Sequence, residues 1–334
     1  MLATWHWHIE ISSKCTLKCP RCARQEVPDT LINTELDLNF FKKTFTKDFI
    51  ITNVEKITFC GDDGDPIYAH DLIEVIKYFK SIKPIEIVII TNGSYKSKTW
   101  WELLGHTLTS SDSVHFSIDG HDNITNNLYR INSDYDSILN GIKSLREISK
   151  CKIVWACIAF QFNQNHLEKM KELAYSLGVD RFQLTKSTKF GSKYSSYGKN
   201  DNLEPHISLI STSNRFEREF TDFSNRTYEI SPTNIELYKQ NKNLHPIIPL
   251  CYIGNKGLYI DSRGRLFPCC WVANRYNHNS EWQKLASKFD LYQRSLEEVL
   301  SDNFWNNEFQ SFRWQECQTK CNYKTITKDY ATSW

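Results

Sequence analysis

Three cysteines near the start of the chain constrain this protein more than any other feature. Cys15, Cys19 and Cys22 follow a β-rich run at 5–11 and have the spacing C-x3-C-x2-C. A loop this short can bring three thiolates around one small object but offers no fourth thiolate of its own. A structural zinc site has four protein ligands, and a cubane iron–sulfur cluster normally takes four cysteines. Three ligands would leave one iron open for a substrate or cofactor, whereas a zinc site or an incidental spacing is the alternative.

Length and charge narrow the class of protein. The 334 residues suffice for one large domain and a smaller one, and the formal net charge of +2 indicates neither a nucleic-acid partner nor an anionic lipid surface. Charged and polar residues interrupt the first thirty positions, so no secretory signal is indicated. The longest apolar runs, such as 85–90, are too short to span a bilayer. We expect a cytoplasmic protein with no membrane partner.

The distribution of the eleven cysteines is informative. A reducing compartment disfavours disulfides, so clustered cysteines indicate metal or redox chemistry. Cys151 and Cys157 stand apart from any group and are expected in the core, where unpaired cysteine is common. A second group follows late in the chain, consisting of Cys251, Cys269, Cys270, Cys317 and Cys321.

Strand and helix patterns alternate through the first half of the chain. Strands are predicted at 5–11, 56–60, 85–90, 113–118, 152–160 and 180–185, and helices at 38–49, 69–80, 98–109, 134–149 and 164–178. Such alternation predicts an α/β fold with a parallel sheet and right-handed crossovers, in which ligands bind beyond the carboxyl ends of the strands. We divide the chain into a barrel-like domain at 1–186, a linker or lid at 187–250 and a small C-terminal domain at 251–334.

The cysteine loop resembles the cluster-binding loop of the radical SAM superfamily. The resemblance covers about 5–185 and 250–322 and implies a partial (β/α)6 TIM-like barrel. It also implies a [4Fe-4S] cluster on Cys15, Cys19 and Cys22 whose open iron chelates S-adenosylmethionine (SAM). In this family, reductive cleavage of SAM yields a 5′-deoxyadenosyl radical that abstracts hydrogen from a substrate. The resemblance further implies an electron donor such as flavodoxin or ferredoxin, and it assigns no catalytic acid or base.

A turn after the second strand resembles the family's Gly-Gly-Glu-Pro segment, whose backbone binds the methionyl amino group. The chain has Asp63-Gly64-Asp65-Pro66 there, with aspartate in place of the first glycine and of the glutamate. An ordinary strand-to-helix turn is the alternative, because Gly, Asp and Pro favour turns. Further SAM contacts implied by position are Thr91, Asn92, Ser117, Asp119 and Arg130, the last resembling an arginine that pairs with the methionyl carboxylate.

The late cysteines surround a predicted hairpin, with 257–260 and 265–268 flanking the turn at 261–264. This segment resembles the Twitch subdomain, a shortened SPASM domain that holds one auxiliary [4Fe-4S] cluster. The resemblance implies Cys251, Cys269, Cys317 and Cys321 as ligands. Cys270 is the alternate to Cys269, since neighbours on a strand point to opposite faces. Four thiolates would satisfy zinc equally well.

The substrate is the least constrained part of the prediction. Peptide maturases of this family commonly carry a leader-recognition domain before the cluster loop, and few residues precede Cys15. We therefore expect an oxidation or rearrangement of a small-molecule or carrier-presented substrate, with a peptide- or protein-modifying maturase as the alternative. The rival from another class is a non-catalytic zinc or iron–sulfur module. His6 and His8 are expected to have packing or surface roles, and Asp261 to be a turn residue.

Overall fold

The computed structural model describes residues 6–26, 31–185, 258–273 and 286–303. In this part of the chain one sheet has eight strands, in the order β6-β5-β4-β3-β2-β1-β7-β8. The strands are β1 His6–Ile9, β2 Lys56–Phe59, β3 Glu86–Thr91, β4 Ser113–Ser117, β5 Lys152–Ile158, β6 Arg181–Thr185, β7 Tyr259–Ile260 and β8 Leu266–Phe267.

Strands β1 to β6 are all parallel and lie side by side in chain order. The helices are α1 Ala23–Glu26, α2 Leu38–Thr44, α3 Lys47–Asn53, α4 Leu72–Ile82, α5 Lys98–Thr107, α6 Asn123–Asn127, α7 Tyr135–Ile148, α8 Leu167–Ser176 and α9 Leu296–Leu300, with 3-10 turns at Pro66–Tyr68 and Ser287–Phe289. The sheet does not close on itself, since β6 and β8 are its edges. The predicted partial (β/α)6 barrel is confirmed.

The C-terminal hairpin extends the barrel sheet. Strand β7 pairs parallel to β1, and β8 returns antiparallel to β7. Gly264 in the turn between them has φ +78°, a left-handed conformation that glycine adopts without a Cβ penalty. Strand β1, which leads into the cysteine loop, is therefore paired on both sides.

One predicted helix was wrong in its extent. The segment 38–49 was predicted as a single helix, but α2 ends at Thr44 and α3 begins at Lys47. The Thr46 side chain accepts a hydrogen bond from the Phe49 amide at 3.3 Å, which caps a new helix. Apolar residues continue across the break, so their periodicity hides it.

The two faces of the sheet differ in character. Trp7 points outward toward the helices, with its ring 5.0 Å from that of Phe45 and 5.8 Å from that of Phe49. Cys151 and Cys157 are buried in the same core, as expected. The inner face instead carries partly exposed polar side chains, namely His6, His8, Lys56, Glu86, Ser113, His115, Arg181 and Gln183. The inner side of the sheet is thus polar and partly exposed.

No helix in the described ranges is both long enough and apolar enough to traverse a lipid bilayer.

Candidate active site

The cysteine loop follows β1 and is fastened to the chain that follows α6. The Lys18 amide donates to the Ile131 carbonyl at 3.0 Å, and the Asn132 side-chain amide donates to the Thr16 carbonyl at 2.8 Å. These contacts hold the first part of the loop at the carboxyl edge of the sheet. Parallel sheets bind their ligands at this edge.

The three cysteines of the loop share one small apolar cluster, whose other members include Leu17, Tyr129 and Phe160. Burial is the main factor that raises the pKa of Cys15 to about 12 and that of Cys19 to about 11. The neighbouring thiols contribute in the same direction, so the three sulfurs lie within electrostatic range of one another. Three thiolates in such a place need a cationic partner, which a metal centre provides.

The geometry distinguishes between kinds of metal centre. Within the described ranges, no three His, Cys, Asp or Glu side chains converge closely enough to hold a single metal ion. In an iron–sulfur cubane each thiolate binds its own iron, so the sulfurs stand farther apart than around one ion. Three neighbouring thiols on one loop, one buried and two partly exposed, fit that donor set. Ligation by Cys15, Cys19 and Cys22 stays a prediction.

The Asp63-Gly64-Asp65-Pro66 turn is built around the Asp65 carboxylate. That group accepts hydrogen bonds from the Thr91 hydroxyl at 2.7 Å and from the backbone and side-chain amides of Asn92, both at 2.6 Å. Burial raises the pKa of Asp65, and these donors oppose the shift. The Asn92 side chain also approaches the Cys15 sulfur at 3.7 Å. Asp65 therefore ties the ends of β2 and β3 to the cysteine loop, and contacts of Thr91, Asn92 or Pro66 with SAM stay predictions.

Gly64 lies where two backbone segments meet. A Cβ at this position would lie 2.0 Å from the Ser12 carbonyl oxygen and 2.5 Å from the Ser13 Cα. Arg24 reinforces this approach, since its guanidinium donates to the carbonyls of Ser13 and Asp63. The turn after β2 is consequently packed directly against the segment that leads into the cysteine loop.

Sequence reasoning missed Glu10, a buried carboxylate at the end of β1. One of its oxygens accepts from the amides of Asp63 at 2.7 Å and Gly64 at 3.1 Å, and the other accepts from the Tyr259 hydroxyl at 3.0 Å. Burial raises the pKa of Glu10 well above its ordinary value, and the charges of Asp63 and Asp62 add to the shift. The partners of Glu10 are more than fifty positions away in the chain. No local sequence motif therefore marks this residue.

Asp119 and Arg130 form a buried ion pair beside the cluster loop. The Arg130 Nε donates to the Asp119 carboxylate at 2.6 Å, and the Ile158 amide donates to the other oxygen, also at 2.6 Å. Arg130 also bonds the Cys19 thiol, which lowers the pKa of that cysteine against the larger effect of burial. Arg130 is thus held in place at the cysteine loop, while Ser117 ends β4 on the inner face. Their contacts with SAM stay predictions.

Three residues predicted in or just after the C-terminal hairpin lie in the described part of the chain. The Asp261 carboxylate accepts from the amides of Arg263 at 3.0 Å and Arg265 at 2.9 Å, which confirms it as a turn residue. Cys270 is buried in the main core, while Cys269 is partly exposed, which favours Cys269 as the ligand. Cys251, Cys317 and Cys321 lie outside the described residues, and the auxiliary site stays a prediction.

Comparison with known families distinguishes a radical SAM cluster loop from a zinc site or an incidental cysteine spacing. A family model described as the radical SAM superfamily matches residues 9–174, a range that holds the cysteine loop, the turn after β2 and the Asp119–Arg130 pair. The chain belongs to the radical SAM superfamily. Members of this superfamily are enzymes, so the protein is an enzyme of this class.

Two curated relatives of this radical SAM protein differ in what they make. The antilisterial bacteriocin subtilosin biosynthesis protein AlbA of Bacillus subtilis (strain 168) is 21% identical over 327 residues, covering 95% of this chain and 65% of AlbA. The chain thus spans just under two thirds of AlbA. A probable GTP 3′,8-cyclase of Saccharolobus islandicus is 22% identical over 267 residues, covering 79% of this chain and 82% of the relative.

Among solved structures, Streptococcus suis SuiB bound to S-adenosylmethionine matches with a TM-score of 0.61 and 16% identity, covering 97% of this chain and 72% of SuiB. SuiB bound to its precursor peptide SuiA matches with a TM-score of 0.60 and 15% identity, covering 94% of this chain and 68% of SuiB. At this identity the likeness shows a shared fold.

Proposed function

We propose that this radical SAM enzyme abstracts hydrogen from a carbon of a peptide side chain and thereby starts an oxidation or rearrangement. The observation that carries the proposal is the grouping of Cys15, Cys19 and Cys22 beside the Asp65 network and the Asp119–Arg130 pair. When bound, a [4Fe-4S] cluster supplies the electron that cleaves SAM to methionine and a 5′-deoxyadenosyl radical.

The surrounding residues have distinct tasks in this proposal. The three cysteines hold the cluster and leave one iron for SAM. Asp65 fixes Asn92 and the backbone of the turn that includes Gly64. Arg130, held by Asp119, offers its remaining guanidinium N–H groups to an anionic neighbour, and the methionyl carboxylate suits that geometry. Together these groups orient SAM and keep water from the reacting centre.

A peptide substrate is favoured by two of the comparisons. AlbA bears the name of a bacteriocin biosynthesis protein, and SuiB has been solved with a precursor peptide. The sequence alone favoured a small or carrier-presented substrate, whereas these relatives favour a peptide. The relation to a GTP 3′,8-cyclase supports a nucleotide substrate as the second candidate.

We also propose an auxiliary [4Fe-4S] cluster of the Twitch type on Cys251, Cys269, Cys317 and Cys321. Two cubanes correspond to about eight irons per chain, against about four for one. A Cys317→Ala variant should lose the iron of one cluster and retain SAM binding, while Cys151→Ala, which removes a core thiol, should leave the iron count unchanged. An unchanged iron count in Cys317→Ala would contradict this ligand set.

Isotope transfer tests the proposed reaction. The anaerobically reconstituted enzyme is supplied with SAM, reduced flavodoxin and a peptide mixture from a perdeuterated protein digest. We expect deuterium to enter 5′-deoxyadenosine, and a Cys19→Ala variant to form none of that product. Deuterium transfer from perdeuterated GTP instead would support the second candidate. SAM cleavage without deuterium transfer from the peptides would reject the peptide proposal, and absence of 5′-deoxyadenosine altogether would reject the enzyme reading in favour of a non-catalytic metal module.

A further inference from the structure

The inner face of the sheet carries charge that the SAM site does not use. On this face, Lys56 on β2 pairs with Glu86 on β3 at 2.8 Å, so these two charges cancel. The Glu10 and Asp119 carboxylates, at the carboxyl ends of β1 and β4, are each held by the hydrogen bonds described above. Lys152, at the start of β5 on the same face, is exposed. Among the partly buried charged groups described on this face, Arg181, the first residue of β6, remains to be explained.

Arg181 has no acidic partner in the described part of the chain. Its Nη2 donates to the neutral side chain of Gln183 at 2.7 Å, while its Nε is buried without a hydrogen-bond acceptor. The carboxylate next to it in sequence, Asp180, is paired with Arg146. A partly buried guanidinium without a counterion is costly, so an arginine in this position points to a ligand.

The described groups near Arg181 supply no negative charge that offsets its own. The strand register places it in one row with Val154 on β5 and His115 on β4. Burial lowers the pKa of His115 to about 3, and the positive charges of Arg181 and Lys56 add to that shift. His115 is therefore neutral at physiological pH, and Lys56 is paired with Glu86. Arg181 is thus left without an oppositely charged partner among the described residues of this face.

We propose that Arg181 and Gln183 form the subsite that binds a carboxylate of the substrate on the inner face of the sheet. A single partly buried guanidinium matches one carboxylate, whereas a di- or triphosphate calls for several cationic groups around it. The N–H groups on the two Nη atoms match the two oxygens of a carboxylate, and the Gln183 amide group lies beside them. This inference rests on the proposed function and deepens it, because it assigns a carboxylate, from an acidic side chain or a chain terminus, to the peptide.

Ligand-dependent stabilisation of the full reconstituted chain tests the subsite. The probes are N-acetylglutamate α-amide, with one side-chain carboxylate, N-acetylglycine, with a terminal one, and N-acetylglutamine α-amide as the uncharged match. Inorganic phosphate at equal ionic strength is the fourth probe. A ligand that binds the folded state raises the unfolding temperature with its concentration, and this rise yields its affinity.

We expect a carboxylate probe to stabilise the wild type and the uncharged amide to have no such effect. An Arg181→Met variant should bind the carboxylate about tenfold more weakly or worse, and Arg181→Lys should fall between the two because it keeps the charge but not the fork. Lys143→Met, which removes a positive charge on the exposed side of α7, is the matched control and should bind as the wild type does.

Two results would overturn the inference, namely equal stabilisation of the wild type and Arg181→Met, or stabilisation by phosphate in preference to carboxylate. Formation of 5′-deoxyadenosine by the same wild-type preparation separates the two claims. If SAM is cleaved and the carboxylate titration is flat, only the subsite is wrong, whereas loss of SAM cleavage rejects the proposed function itself.

Discussion

The hydroxyl of Tyr259 on the C-terminal hairpin donates a 3.0 Å hydrogen bond to the carboxylate of Glu10 at the end of β1. The other oxygen of Glu10 accepts the amides of Asp63 and Gly64. One buried carboxylate therefore joins the hairpin to the turn that we expect to bind the methionyl amino group. The hairpin and the turn after β2 are distant in sequence, yet both are bonded to Glu10 and together support the predicted SAM site.

The ionisation of Glu10 makes a pH dependence testable. A carboxyl whose pKa is higher in the folded protein than in the unfolded chain reduces stability as pH rises from the unfolded toward the folded pKa. The pKa of Glu10 is shifted in this direction, chiefly through burial. Burial likewise raises the pKa of Asp63, to about 6. We expect the wild-type free energy of unfolding to fall between about pH 5 and about pH 7.5, and to fall less in Glu10→Gln, which does not ionise.

Urea unfolding at the two pH values measures this difference. The exposed Glu74→Gln, which removes a surface carboxylate on α4, should keep the wild-type pH dependence. The same pH dependence in Glu10→Gln and the wild type would show that Glu10 has the same pKa in the folded and unfolded chain.

Removal of the Asp65 carboxylate should disturb both stability and SAM binding. Asp65→Ala leaves the Thr91 hydroxyl and the Asn92 amides without their buried acceptor, at a cost of about 2–4 kcal/mol in the free energy of unfolding. Thr46→Ala removes the side-chain cap of α3, which packs on the outer side of the sheet, and should cost about 1 kcal/mol. We expect SAM affinity, measured by equilibrium dialysis under anaerobic conditions, to fall in Asp65→Ala only. Equal SAM affinity in the two variants would contradict the role assigned to Asp65.

The close approach at Gly64 predicts a steric effect on the cysteine loop. The Cβ of Gly64→Ala would meet the backbone of Ser12 and Ser13, which has no flexible end to move aside, so the segment leading to Cys15 must shift. We expect a loss of about 1–3 kcal/mol in the free energy of unfolding together with poor iron incorporation. Gly105→Ala lies in a helix and meets only Ile148 side-chain atoms at 3.2 Å and Leu145 at 3.4 Å, so it should bind iron normally. Wild-type iron content in Gly64→Ala would refute the packing argument.

The sequence predicted the barrel because its signals are local. Alternating strands and helices specify a parallel sheet, and the cysteine spacing marks the loop that follows β1. One local signal was overlooked. Thr46 lies three residues before Phe49, the spacing of a helix N-cap, and it marks the break between α2 and α3.

Residues that act across the sequence could not be predicted. Glu10 and Arg24 support the site through backbone groups of the turn after β2, some forty to fifty positions away. Arg181 opens an ordinary strand, and only the sheet register places it on the inner face without a carboxylate. The roles of these residues depend on tertiary contacts, and none of them belongs to a recognisable sequence motif.

The central claim is that Cys15, Cys19 and Cys22 hold an iron–sulfur cluster with one iron open to SAM. Electron paramagnetic resonance of the anaerobically reconstituted and reduced Cys317→Ala variant tests it most directly, because the proposed auxiliary signal is then absent. We predict a [4Fe-4S]+ signal that changes when SAM is added and disappears in Cys19→Ala/Cys317→Ala. A signal that SAM leaves unchanged, or a protein that binds zinc and no iron, would contradict the account.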